Sequence, residues 1–180
     1  FPEGACQPDW SPDGSQLVFV SPCEYGQDTL QGSSLYISDV DGLKLNQLAS
    51  APGGDFEPAW SPDGTHIAFT SLRDGHMQIY SIILDDNSTT RLTETASDIF
   101  THSPSWSPFG NQIAYAARRY GAYQIWTMTN TGQAHQRVTV SGYQYFDVMP
   151  VWSPDGNFIL YSQYPVDRPA RVRLMSIRYE

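Results

Sequence analysis

Charge is scarce in this chain of 180 residues: Asp, Glu, Lys and Arg together make up 16%, and the basic ones are outnumbered 10 to 19. The formal net charge of −9 sets the protein against polyanions, which excludes nucleic acid as a partner and disfavours the anionic face of a membrane. Long hydrophobic runs are also missing. Nothing approaches the roughly 18 apolar residues of a membrane span, so no membrane insertion is expected of this segment. The opening Phe1-Pro2-Glu3-Gly4 has neither the basic start nor the apolar stretch of a signal peptide; the expectation is a soluble chain, already processed or cut from something larger. Two cysteines are too few for a zinc site without histidine help, and His66, His76, His102 and His135 show no ligand spacing, so neither metal nor cofactor is expected. Catalytic signatures are absent as well: no Gly-x-Ser-x-Gly elbow, no His-Glu-x-x-His, no phosphate loop, no dinucleotide fingerprint. The expectation is a protein that is not an enzyme.

What the chain does have is a repeat. Pro8-Asp9-Trp10-Ser11-Pro12-Asp13-Gly14 returns as Pro58-Ala59-Trp60-Ser61-Pro62-Asp63-Gly64, as Pro104-Ser105-Trp106-Ser107-Pro108-Phe109-Gly110 and as Pro150-Val151-Trp152-Ser153-Pro154-Asp155-Gly156, with tryptophans 50, 46 and 46 residues apart. Ser-Pro-Asp-Gly is turn chemistry: proline presets φ, Asp suits the next position, and Gly accepts the left-handed conformation that closes a bulged hairpin. A short apolar run follows each turn, such as Leu17-Val18-Phe19-Val20 and Ile113-Ala114-Tyr115, as expected of a strand covered on both faces. An alternating segment comes next (Gln78-Ile79-Tyr80-Ser81, Gln124-Ile125-Trp126-Thr127), then in three repeats a weaker strand ending in Arg91-Leu92-Thr93 or Arg137-Val138-Thr139. No stretch sustains a helical period. The prediction is an all-β chain, a β-propeller built of four-stranded antiparallel blades, with four repeats of which the last is one strand short. The blades fall at about 5–49, 56–93, 102–140 and 147–180 of a single, partial domain.

The Pro-x-Trp-Ser-Pro-Asp-Gly hairpin, the Ile-Ala-Phe strand of residues 67–69, the Ile-Tyr pair of residues 79–80 and the Arg-Leu-Thr end of residues 91–93 resemble the TolB-type, WD40-like PD40 propeller repeats. The resemblance covers nearly the whole chain. It implies a module that binds a protein or peptide in a periplasmic or extracellular setting, as a sensor or scaffold. Propellers of this kind usually have six to eight blades, whereas the repeats here supply four. Self-association that completes the propeller is therefore an expected partnership, and a ring or filament is one product. The charge distribution agrees, since residues 1–117 hold 15 acidic and 3 basic side chains and residues 118–180 hold 4 acidic and 7 basic. A different reading makes the chain a segment of the gating propeller of a prolyl-oligopeptidase-like peptidase, with the hydrolase domain elsewhere.

Cys6 and Cys23 flank the first hairpin on adjacent strands, where a disulfide is geometrically feasible and implies an oxidising compartment; two free thiols in a cytosolic protein are the alternative. Trp10, Trp60, Trp106 and Trp152 share one phase, which assigns them to packing between blades rather than to a site. Binding is expected on the face that gathers the loops 21–33, 72–76, 118–122 and 164–170 with the loops 51–56, 94–102 and 141–147. The candidates there are Arg73, Arg118, Arg119, Tyr120, Tyr143, Tyr145, Phe146, Tyr164 and Arg168, residue types enriched at binding hot spots. Arg73 and Arg119 hold equivalent places, and either present their guanidinium forks to an acidic partner or pair with a nearby acid such as Asp74.

Overall fold

The computed structural model describes residues 4–23, 31–93, 99–119 and 121–179. Fifteen strands form four antiparallel sheets, each wound in chain order from its innermost strand outward. The first holds β1 (Cys6–Trp10), β2 (Gln16–Ser21), β3 (Ser34–Asp39) and β4 (Leu45–Ser50). The second holds β5 (Asp55–Trp60), β6 (His66–Ser71), β7 (Gln78–Ile83) and β8 (Thr89–Arg91). The third holds β9 (Phe100–Trp106), β10 (Gln112–Arg119), β11 (Ala122–Thr129) and β12 (Gln136–Arg137). The fourth has three strands, β13 (Tyr145–Trp152), β14 (Phe158–Pro165) and β15 (Arg173–Arg178). Among the described residues no strand is shared between the first and last sheets, so pairing does not close the ring. No helix is long and apolar enough to cross a membrane among those residues.

The repeated turn behaves as its chemistry dictates. The N–H of Gly14, Gly64, Gly110 and Gly156 donates to the carbonyl of the serine three residues earlier, at 2.9–3.0 Å, with φ between 70° and 76°. In three turns the serine hydroxyl also donates to the Asp carboxylate, Ser11 to Asp13 at 2.7 Å, Ser61 to Asp63 and Ser153 to Asp155 at 2.6 Å. Those hydrogen bonds, with the N–H groups of Ser15 and Asn157, hold the Asp13 and Asp155 carboxyls down at about 2. In the third turn Phe109 stands at the Asp position, and Ser107 donates instead to Asn111 Oδ1 at 2.9 Å.

The core lies between blades. One cluster joins Val18, Val20 and Leu35 of the first sheet to Trp60, Ile67 and Phe69 of the second; another joins Ala68 and Ile79 to Ile113 and Tyr115; the third joins Ala114 and Ile125 to Trp152 and Ile159. Trp60, Trp106 and Trp152 thus each pack on the preceding blade. Trp60 and Trp152 are buried, Trp106 is half-buried with its indole N–H on the Ala59 carbonyl, and Trp10, on the outer face of β1, is 57% exposed. At the opposite end Phe158 and Leu174 are exposed on the fourth sheet, with Val172 exposed just before β15. The two end faces therefore carry apolar side chains that the interior junctions bury.

Candidate functional site

Every innermost strand carries the same irregularity. Gln7, Glu57, Ser103 and Met149, each three residues before its tryptophan and each followed by proline, have φ of 50°, 52°, 54° and 54°. Proline cannot donate to the ladder, and the strand pairing slips at all four places. A left-handed non-glycine residue costs on the order of 1–3 kcal/mol, so four in register are held by their surroundings. Two of the side chains show how. Gln7 Oε1 accepts the N–H of Glu57 at 2.8 Å, and the Glu57 carboxylate accepts the N–H of Ser103 at 2.7 Å, the Ser103 hydroxyl at 2.8 Å and the Thr70 hydroxyl at 2.7 Å. His102 Nδ1 lies 3.6 Å from the same carboxylate. Burial pushes the Glu57 carboxyl up, but the adjacent His102 ring, with the hydrogen bonds from Thr70 and Ser103, outweighs it and holds the group at about 2. The bulges at Gln7 and Glu57 thereby clip the next blade. The bulges and prolines surround the axis, where Pro8, Asp9, Pro58, Trp60, Pro104 and Pro150 help to line a cavity of about 360 Å³.

The loop face presents a different surface. His102, Tyr123, Phe146 and Tyr164 form a continuous edge-to-face ladder across the third and fourth blades, with ring centroids 4.9, 5.3 and 5.6 Å apart. All four rings are half-buried, and Phe146 and Tyr164 are register partners in β13 and β14. Burial raises the Tyr123 and Tyr164 phenols, which keeps both as neutral donors. Beside the ladder, Tyr143 is 72% exposed and Tyr145, half-buried, pairs with Pro165. Arg118 is exposed at the end of β10, and Arg168 lies 3.6 Å from its neighbour Asp167 on the surface. Tyr120 lies outside the described residues, as do the parts 24–30 and 94–98 of two of the loops.

Arg73 is engaged within its own blade. Its Nη2 donates to both oxygens of the fully buried Asp55 at 3.2 Å, its Nε donates to Ser71 Oγ at 2.9 Å, and its guanidinium carbon sits 4.4 Å from the Tyr80 ring centroid. Asp74 serves Arg91 instead, at 2.7 Å, and accepts the Tyr80 hydroxyl. Arg119 stacks in the same way on Trp126, at 4.2 Å, with no carboxylate partner among the described residues. Cys6 and Cys23 are joined by a disulfide with Cα atoms 5.9 Å apart.

Sequence reasoning did not find Gln7, Glu57, His102 or Tyr123. For Gln7 and Glu57 the signal was a polar residue before the repeated proline, which reads as loop chemistry until pairing shows it to be a bulge in a strand. Asp55 was also missed, since a lone Asp at a strand start has no signature of burial.

A family model described as the TolB beta propeller domain matches residues 4–178. Among solved structures, a TolB-like protein from Agrobacterium tumefaciens aligns over 97% of this chain and 61% of its own, with 26% identity and a TM-score of 0.83. TolB from Acinetobacter baumannii aligns over 98% of this chain and 41% of its own, at 21% identity and TM-score 0.79. A puromycin hydrolase shares the fold at 16% identity, over 98% of this chain and 29% of its own, with a TM-score of 0.70. The chain thus spans less than two thirds of the length of these proteins. No match is found among curated proteins. With four phased hairpins and a match over nearly all of its length, this chain belongs to the TolB β-propeller (PD40) family.

Proposed function

We propose that this chain is a non-catalytic propeller module that binds a protein or peptide through its loop face, outside the cytoplasm. The observation that carries the proposal is the half-buried ladder of His102, Tyr123, Phe146 and Tyr164, flanked by exposed Tyr143 and Arg118. Rigid aromatic side chains with partly exposed edges are the commonest energetic anchors of an interface, and here they sit on strands rather than on free loops. Family membership and the likeness to TolB structures support binding over catalysis, as the peptidase propeller is the more distant of the likenesses. The Cys6–Cys23 bridge supports an oxidising compartment. The exposed end faces support a second partnership, with further propeller, because Leu160 holds the place at which Ala68 and Ala114 lie buried beneath the next tryptophan.

The test is capture of partners from a periplasmic extract by the immobilised chain and by a Tyr143→Ala, Tyr164→Ala double variant. A band retained by the first and lost by the second, with unchanged circular dichroism, is expected; equal retention by both assigns binding elsewhere. Light scattering tests the association: a monomer at every concentration removes the second partnership.

A further inference from the structure

Blades two and three are related by a constant offset of 46 residues, and the offset isolates one electrostatic difference. In blade two, two arginines flank an aromatic ring: Arg73 stacks on Tyr80, and Arg91 is the register partner of Tyr80 on β8. Three acceptors serve them, with Asp55 and Ser71 on Arg73 and Asp74 on Arg91. Blade three repeats the frame, since Arg119 stacks on Trp126 and Arg137 is the register partner of Trp126 on β12. The positions of all three acceptors have changed. Asp55 corresponds to Thr101, Ser71 to Ala117 and Asp74 to Tyr120. Thr101 is fully buried and its hydroxyl is committed to Thr93 and the Met77 carbonyl, and alanine accepts nothing. The electrostatic outcome is an arginine pair without a counter-ion in either of the places where its twin has one.

The hydrogen bonds agree with the charges. Arg119 Nε and Trp126 Nε1 are both buried without an acceptor, and Arg119 is the only charged side chain with such an atom among the described residues. A buried donor left without a partner is rare enough in native proteins to call for a physical reason. His135 does not supply the acceptor: no hydrogen bond joins it to Arg119 Nε, and its Nδ1 is paired with the Tyr115 hydroxyl at 2.8 Å. Burial and the Arg119 charge both lower the His135 pKa, which keeps that ring neutral beside the arginine.

We infer that the rim of blade three is a carboxylate-recognition site, at which an acidic segment of a partner protein supplies to Arg119 and Arg137 what Asp55 and Asp74 supply to Arg73 and Arg91. The partly exposed Arg119 and the exposed Arg137 form the entry side, and Trp126 is the platform that orients the fork. Protein carboxylates are the favoured occupants because the internal template is made of them. The site also lies in the basic part of an otherwise acidic chain, where residues 118–180 hold 7 basic and 4 acidic side chains. The inference rests on the binding reading above and names the chemistry of the partner.

The experiment is a fluorescence-anisotropy titration of the intact chain at low salt with an Asp/Glu-rich pentapeptide, and with its Asn/Gln counterpart. Binding of the acidic peptide alone is expected, weakened about tenfold by Arg119→Gln or Arg137→Gln and unchanged by Lys44→Gln, an equal loss of charge on blade one. Thr101→Asp with Ala117→Ser rebuilds the two acceptors that serve Arg73 in blade two and is expected to weaken peptide binding as much as Arg119→Gln does. Equal binding of the two peptides, no binding of either, or the same weakening by Lys44→Gln as by Arg119→Gln each overturns the inference. Competition by inorganic phosphate at the peptide's own concentration overturns it too, by making the occupant a small anion. The binding reading fails separately, through the capture experiment with the Tyr143→Ala, Tyr164→Ala variant.

Discussion

Trp60 and Trp10 occupy the same position of the same repeat, yet one is 7% and the other 57% exposed. The difference lies in what precedes them. Trp60 packs on Val18 and Leu35 of the blade before it, whereas among the described residues nothing packs on the outer face of β1. At the far end, the site on Leu160 that corresponds to Val18, Ala68 and Ala114 receives no tryptophan among those residues. A propeller core is thus made by neighbours, and stability is a sum of junctions more than of blades. The sharpest way to break the comparison is a matched pair of truncations. Trp60→Ala is expected to cost about 3–5 kcal/mol and Trp10→Ala less than about 1, read by urea denaturation. Similar losses at both would mean that Trp10 is buried in solution, by a second copy or by further blades.

The junctions also differ from one another in their polar clips. Between blades two and three the Glu57 carboxylate gathers four groups from two blades, whereas Gln7 makes a single neutral contact between blades one and two. Glu57 titrates near 2 when folded, against 4.5 in its absence. A depressed carboxyl stabilises the fold at pH above the unfolded value and loses that contribution as pH falls through the folded one. The expected loss between pH 4.5 and 2 has a ceiling of about 3 kcal/mol at 1.36 kcal/mol per unit. Glu57→Gln is expected to flatten that part of the stability profile relative to the parent, although Asp13 and Asp155 will keep some acid dependence. Parallel profiles for parent and variant would show that Glu57 does not hold this junction.

Blades two and three can be compared in stability as well as in binding. Asp55 is fully buried and its partner Arg73 is 25% exposed, so removing the acid strands a partly hydrated cation. Asp55→Asn is expected to cost about 2 kcal/mol, below the ~3–5 of a fully buried pair, because Arg73 keeps its stacking on Tyr80 and some water. Arg119→Gln in blade three, where no acid pairs with it among the described residues, is expected to be nearly neutral, both variants being read by thermal melt. A large loss there would reveal a counter-ion for Arg119 within the chain.

The fold was legible because its signals are local and repeated: a Pro-Asp-Gly turn, an apolar run and an alternating run need no distant contact to be read, and four phased copies reinforce one another. The site was legible by residue type but not by partner. Arg73 and Arg119 look identical along the chain, and only the three-dimensional approach of Asp55, 18 residues earlier, separates a neutralised strut from an unpaired cation. Phe146 and Tyr164 were visible as loop aromatics, although the structure places them in β13 and β14, whereas Tyr123 sits inside a strand where pattern alone assigns it to packing, and His102, at the edge of the expected loop 94–102, showed only a histidine without ligand spacing. Glu57 was hidden by its setting, since a left-handed residue before proline runs against local preference and is fixed by the neighbouring blade.

The smallest effect concerns the one turn that departs from the repeat. Phe109 replaces Asp and is 74% exposed, but its ring closes over Gly156 of the fourth blade, where an added Cβ would come within 2.6 Å of it. Restoring the motif by Phe109→Asp sets two terms against each other. The new carboxylate has little to gain, because Ser107 is already bonded to Asn111, and the ring's contact with the next turn is lost. The expected change is within about 0.5 kcal/mol, measured as a shift in denaturation midpoint with unchanged slope. A loss above about 1 kcal/mol would mean that Phe109 acts as a small junction of its own, fastening the turns of blades three and four with an aromatic ring where the turns of the earlier blades meet through Pro12 and Pro62.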